Sequence, residues 1–300
     1  MTAVRERASF KPLRHESQMA SMISEINGEP VETVIERLNF ERLHPGRTVA
    51  DAFKRHGGRR YLDGPDLAAF YESTDAFLYE LAVWNRNSLK SSTRHFVRRH
   101  LARQDRPLDV LCIGDGLGFD SLHLAVRGHR VTYFELPGLG ERFARRLFER
   151  SGPSITVLTD PKEIARGAYD AVTCLDVLEH VPDPPGMVRE IASYLRPGGF
   201  FYVSAPFYMV LPWYPTHLRC NRRFSGSLRL FTQAGLELVG GRFTWYPLVL
   251  RKSGGESMRI DRAACLAARW SGYVQMLGRL AAWPFLPVHL ARWLCNRRFN

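Results

Sequence analysis

The chain has 300 residues, 45% of them apolar, which is enough for one large α/β domain with additions or for two small domains. Its five cysteines are scattered, without a CxxC pair or a His spacing suited to zinc, so no metal centre is expected; Cys112 and Cys174 read as inert core residues inside apolar runs. The net charge of +12 is uneven, with nine Lys or Arg against two Asp or Glu in the last fifty residues. A basic surface concentrated at one end argues against a nucleic-acid groove beside a catalytic face.

Residues 1–30 are polar and mixed, without sustained periodicity, and read as a mobile arm. The early apolar residues are interrupted by Arg5, Arg7, Lys11, Arg14 and His15, and no run of about 18 apolar residues follows anywhere, so a cytoplasmic location is expected. Val31, Val34, Ile35 and Leu38 fall on one helical face before His44, Pro45 and Gly46 break the pattern, and a second short helix is predicted over 48–56. From Asp66 the chain reads as helix nearly to residue 104, in two pieces capped by Asp66 and Ser91, with Phe70, Phe77, Leu78, Leu81 and Trp84 at helical spacings.

Residues 108–113 form an almost unbroken apolar run, the pattern of a strand covered on both faces. It ends at Gly114-Asp115-Gly116-Leu117-Gly118, where glycines let backbone N–H groups and a helix N-terminus approach a ligand. A helix over 119–127, a strand over 130–134 and Glu135 follow. A carboxylate at the tip of a second strand can accept hydrogen bonds from both hydroxyls of an adenosine ribose. The third glycine arrives one residue too early for a dinucleotide fingerprint, and Phe119 is bulky, which disfavours a pyrophosphate cradle. Strands are then predicted over 155–158, 169–175, 200–205, 236–240 and 246–252, with helices over 140–151, 184–195 and 225–234.

The GxGxG turn with its acidic second-strand end resembles the class I S-adenosylmethionine (SAM) dependent methyltransferases. Two further stretches match in the right order: YDAVTCLDVLEHV from Tyr169 and LRPGGFFYVSAP from Leu195. The resemblance covers residues 66–252 and implies a Rossmann-like, seven-stranded, mostly parallel sheet with helices on both faces and an antiparallel last strand. Around it lie an N-terminal arm and helical extension (1–65) and basic amphipathic helices (253–300), the lid helices 66–104 belonging to the middle unit. The implied cofactor contacts are Gly114, Asp115, Gly116, Gly118, Glu135 and Leu136, with Asp160 on the adenine and Leu175 and Asp176 beside the methionine part. Tyr71 is a lid residue over the cofactor; Trp84, Tyr208, Trp213 and Tyr214 are candidate acceptor contacts. The pattern departs at Cys112, where the family usually has an acid, and at Asp115, where it usually has a small residue.

Acceptor contacts in such proteins come from the segment after the fifth strand, here 206–224. His217 is its candidate general base for a hydroxyl, since an imidazole titrates near neutral pH, and a loop-orienting role stands beside that one. Asp176 would serve an amine. The expected activity is methyl transfer from SAM to a hydroxyl or amine of a small molecule, such as a natural-product or sugar intermediate, without a metal. The alternatives are an RNA or protein methyltransferase, which needs an open groove, and a non-catalytic SAM-binding protein. In the last segment Leu266, Trp270, Tyr273, Val274, Leu277 and Leu280 mark one helical face and Arg262, Arg269 and Arg279 another. That face suits packing on the domain as a lid, a homodimer contact, or an anionic membrane surface.

Overall fold

The apolar runs expected as strands assemble into one seven-stranded sheet in the computed structural model, which describes residues 10–57, 64–211, 213–254 and 260–280 with isolated positions 287, 290 and 294. The strands are β1 (Asp109–Ile113), β2 (Arg130–Phe134), β3 (Ile155–Leu158), β4 (Tyr169–Leu175), β5 (Leu195–Ser204), β6 (Leu236–Gly241) and β7 (Leu248–Lys252). Their order is β3-β2-β1-β4-β5-β7-β6, with β7 antiparallel to both neighbours and the pairs from β3 to β5 parallel. β1 shows why its run is apolar throughout: Leu111 and Ile113 pack into one core cluster and Val110 and Cys112 into another, on opposite faces of the pleat.

The helices are α1 (Glu16–Asn27), α2 (Val31–Leu43), α3 (Arg47–Arg55), α4 (Gly64–Ser73), α5 (Ala76–Arg86) and α6 (Ser88–Leu101) before β1. Then come α7 (Phe119–Ala125), α8 (Leu139–Ser151), α9 (Pro184–Tyr194), α10 (Arg229–Thr232) and α11 (Arg262–Met276). α6 and α7 cover one face through Val97, Leu101 and Leu124, and α9 covers the other through Val188 and Ile191.

Several expectations are corrected. Residues 16–27 are not a mobile arm: α1 buries Met19, Ala20, Met22 and Ile23 completely against Val34 and Leu38 of α2, Leu78 of α5 and Leu147 of α8. The long helix predicted from Asp66 breaks between α4 and α5, where the Asp75 carboxylate bonds Arg37 at 2.6 and 2.8 Å and Asn27 at 2.9 Å. Asp66 therefore lies within the first turn of α4, and α6 is capped by Asn87, whose Oδ1 accepts from the Leu89 N–H at 2.7 Å, rather than by Ser91. The helix expected over 225–234 shrinks to the single turn of α10.

α11 departs most. The face that seals it to β6 and Trp245 consists of Ala268, Ser271, Gly272 and Gln275, while Trp270 (64% exposed), Tyr273 (68%) and Leu280 (83%) face outward with Leu266, Val274 and Leu277. The predicted apolar face therefore does not pack on the domain. Of the amphipathic helices expected over 253–300, residues 255–259 and all but three positions beyond 280 lie outside the described residues.

Candidate active site

The glycine turn is held open by its neighbours. Tyr133 of β2 donates to the Gly116 carbonyl at 2.6 Å, and the Gly116 N–H donates to the Glu135 carboxylate at 2.8 Å, so turn and second-strand tip form one unit. Gly116 has φ +61, which requires glycine for conformation, and Leu81 of α5 lies over it, its Cδ1 2.7 Å from where a Cβ would be. Glu135 also accepts from the Leu136 N–H at 3.1 Å, and burial raises its carboxyl above the usual range.

This unit forms one wall of a cavity of about 840 Å³ at the carboxyl ends of β1, β2, β4 and β5, the usual place for a ligand in an open parallel sheet. Gly114, Gly116, Glu135, Leu136 and Asp176 line it from the sheet side, Tyr71 and Trp84 from α4 and α5, and Trp213, Tyr214 and His217 from the loop after β5. Leu290 of the C-terminal segment lines it too. The N-terminal extension closes over the loop: a Cβ on Gly46, between α2 and α3, would come within 2.8 Å of the Trp213 carbonyl oxygen.

The remaining sequence candidates lie outside the lining. Asp115 is turned back, accepting from the Asp120 and Ser121 N–H groups at 3.1 and 2.7 Å, and burial together with the Asp120 charge pushes its carboxyl up to about 7. Gly118 lies under Phe148 and Ala144 of α8. Asp160 is exposed and accepts from the Lys162 N–H at 2.9 Å. Leu175 ends β4 as a buried side chain, and Tyr208 is buried against Met209.

Asp176 has φ 63, in the left-handed region that Asp tolerates better than most residues. Its Oδ1 accepts from the Tyr246 hydroxyl at 2.7 Å and Ser204 Oγ at 3.2 Å, and its Oδ2 accepts from Trp84 Nε1 at 3.2 Å. The bond to Trp84 joins α5 to the sheet. A second buried tie does the same one helix on, where Lys90 and Arg94 of α6 meet Asp120 of α7 at 2.8 and 2.7 Å and hold its carboxyl far below the usual range, against the cost of burial.

At the far end His217 is buried, stacked on Tyr214 at 5.1 Å between centroids and met edge-on by His180 at 4.7 Å. The His180 Nδ1 lies 3.0 Å from the Thr216 carbonyl, which can only accept, so Nδ1 carries the hydrogen and Nε2 the lone pair. Burial holds this imidazole down to about 4, hence neutral at physiological pH. Glu179, His180 and His217 each bring a ligand-capable atom within 4.8 Å of the others, an arrangement that could accept a cation.

A family model described as a methyltransferase domain matches residues 85–248, more than half of the chain. The chain belongs to this family. Among curated relatives, a ubiquinone biosynthesis O-methyltransferase of Marinobacter nauticus is 41% identical over 105 residues, 33% of this chain and 43% of that protein. One of Chromobacterium violaceum is 34% identical over 113 residues, 36% of this chain and 48% of that protein. The chain thus spans less than half the length of these relatives. Among solved structures, the 1,6-didemethyltoxoflavin-N1-methyltransferase of Burkholderia thailandensis, with bound 1,6-didemethyltoxoflavin and S-adenosylhomocysteine, is 18% identical with a TM-score of 0.43, covering 57% of this chain and 81% of that one.

Proposed function

We propose that this methyltransferase-family chain binds SAM at the glycine turn and methylates a hydroxyl of a small molecule at the His180–His217 end of the same cavity. The observation that carries the reading is the joining, in one cavity walled by the N-terminal helices, of Glu135 beside the Gly116 N–H with the edge-to-face pair of His180 and the buried His217. Two features support SAM: Gly114 and Gly116 bring bare backbone to the cavity wall, and the half-buried Glu135 carboxylate at the second strand tip lines the cavity, where it can accept from two ribose hydroxyls. Bound SAM supplies an electrophilic methyl group on a sulfonium. The chain supplies position and a proton acceptor: Trp84 and Asp176 fix the lid, Tyr214 and His180 hold the His217 ring, and His217 takes the hydroxyl proton. Asp176, already serving three donors, is better suited to holding the lid than to accepting a proton. The walling of the cavity by the extension supports a small acceptor over RNA or protein, and the relatives named for ubiquinone biosynthesis support oxygen as the methylated atom.

The test is transfer of a deuterated methyl group from labelled SAM to a panel of phenols and alcohols, read by mass, alongside calorimetry of SAM binding. Glu135→Ala should weaken SAM by roughly 2–3 kcal/mol, two hydrogen bonds to a charged acceptor. His217→Ala should lower kcat about 10²- to 10⁴-fold with SAM affinity unchanged. An unchanged SAM affinity in folded Glu135→Ala would remove the reading.

As its partner outside the cavity, the outward face of α11 fits an anionic lipid surface, because the Trp270 and Tyr273 rings sit among exposed Arg262 and Arg269 in a segment with seven surplus positive charges. Co-sedimentation with phosphatidylglycerol vesicles tests it, and a dimer in solution without vesicle binding would assign the face to a second copy instead. No helix among the described residues is long and apolar enough to cross a membrane.

A further inference from the structure

The chain carries a surplus of twelve positive charges, yet its cavity has the opposite sign. Among the described residues lining it, six are carboxylic acids, Glu41, Glu80, Glu135, Glu141, Asp176 and Glu179, against one arginine, Arg47. Bound SAM, with a single net positive charge, would balance only part of this. The acids are not equivalent. Glu41 accepts from the Gly46 and Thr48 N–H groups, Glu135 from Gly116 and Leu136, and Asp176 from three side chains, while Glu141 pairs with Arg145 and Glu179 neighbours His180. Glu80 has no hydrogen bond or ion pair with any described residue.

Glu80 sits on the wall of α5 that faces inward, beside Leu81, which covers Gly116, and one turn ahead of Trp84, which reaches Asp176. Glu80 is half-buried on the cavity wall and no described group of the protein competes for its carboxyl, which leaves it free to meet a ligand group. We propose that Glu80 selects the acceptor, and that the acceptor carries a protonated amine, apart from the hydroxyl to be methylated, that seats against this carboxylate. The inference rests on the reading of the cavity as a methyl-transfer site.

The surroundings favour a cation over a merely polar group. The buried Glu41 lies near enough that, after burial itself, its charge raises the Glu80 carboxyl, which reaches about 8. The other titratable groups on this side are Tyr71 of α4, whose hydroxyl feels the charges of Glu80, Glu135 and Glu179, and His44 and Arg47 beside Glu41 and Gly46, of which Arg47 already pairs with Asp51 at 3.4 Å. In the ligand-free protein Glu80 therefore holds a proton at neutral pH. An arriving ammonium group would release it to solvent and leave an ion pair; an arriving carboxylate or phosphate would meet only repulsion. The affinity for a cationic acceptor should then rise with pH until Glu80 is ionised before binding.

Three phenols that differ in charge alone provide the probes: tyramine (cationic), 4-ethylphenol (neutral) and 3-(4-hydroxyphenyl)propionate (anionic), titrated into the full chain saturated with S-adenosylhomocysteine. Tyramine should bind at least about tenfold tighter than 4-ethylphenol, the scale of one favourable ion pair, and the anion weakest of the three. At pH 7 tyramine binding should release about one proton, read from titrations in buffers of different ionisation enthalpy. Glu80→Gln should abolish the preference and the proton release while leaving S-adenosylhomocysteine affinity and the thermal midpoint unchanged, and Glu80→Asp should restore part of the preference. Equal affinity of the three phenols, no tyramine binding, or a Glu80→Gln variant weakened toward S-adenosylhomocysteine instead of tyramine would each overturn the proposal. A chain that fails to bind S-adenosylhomocysteine yet keeps the Glu80-dependent preference would sink the methyltransferase reading and leave this one standing.

Discussion

Two helical additions flank the same sheet, and they solve the problem of attachment in opposite ways. At the N-terminal end, α1 looks polar in sequence, yet its Met19, Met22 and Ile23 are completely buried against α2, α5 and α8. At the C-terminal end, α11 has the more obvious apolar face, yet it docks through Ala268, Ser271, Gly272 and Gln275 and leaves Trp270, Tyr273 and Leu277 outside. The docked face is small because the approach is close: a Cβ on Gly272 would lie 3.0 Å from Trp245 Cζ2 and 3.1 Å from the Gly226 carbonyl oxygen. Amphipathic spacing identifies a face, but only the shape of the neighbour decides whether that face is the buried one.

Substitutions at the two ends can break this contrast. The largest effect is expected at the N-terminal end, where Ile23→Ala should cost roughly 3 kcal/mol by leaving a cavity in a filled cluster, measured by urea unfolding. A loss below about 1 kcal/mol would mean that α1 is peripheral after all. Next comes overpacking of the docked face of α11: Gly272→Val should cost about 1–3 kcal/mol, because neither the Trp245 ring nor the Gly226 backbone can yield cheaply.

Acid sensitivity sharpens the comparison from another direction. His100 on α6 and His123 on α7 are held down by burial to about 4 and about 3, whereas α11 contains no histidine. An unfolded imidazole binds its proton near 6.5. Between about pH 6.5 and 4 the unfolded chain therefore holds more protons, so stability should fall as pH drops through that window. His123→Gln should reduce the slope of stability against pH there by about one proton, and an unchanged slope would mean that this imidazole is charged in the folded chain. The smallest effect is expected on the outward face of α11, where Val274→Ser should change stability by no more than about 0.5 kcal/mol while weakening attachment to anionic vesicles.

Much of the sheet was legible because strand burial imposes unbroken apolar runs, and the glycine turn because only glycine serves there. Gly114, Gly116, Glu135, Asp176 and His217 do meet around one cavity. What sequence could not show are the pairings made at long range. Asp176 is tied to Trp84 across 92 positions and to Tyr246 across 70, and neither link leaves a local pattern. Glu41 and Glu80 were hidden for a different reason. On a helix a glutamate reads as a solvated surface residue, and only the meeting of α2 with α5 turns both toward an interior. The break between α4 and α5 left no local pattern either, and the partners of Asp75 beside it, Arg37 and Asn27, lie far back in the chain.

The left-handed backbone at Asp176 narrows the alphabet available to that position. A φ of 63 admits Gly, Asn or Asp with little strain. Gly offers no side-chain acceptor to the three donors that converge there, and Asn offers a single oxygen plus an amide that would confront one of the donors. Only Asp satisfies backbone and side-chain demands together. In a set of related chains, the residue at this one position therefore distinguishes those able to build the same latch between α5, β5 and the Tyr246 loop from those that share the sheet but must fasten their lid by other means.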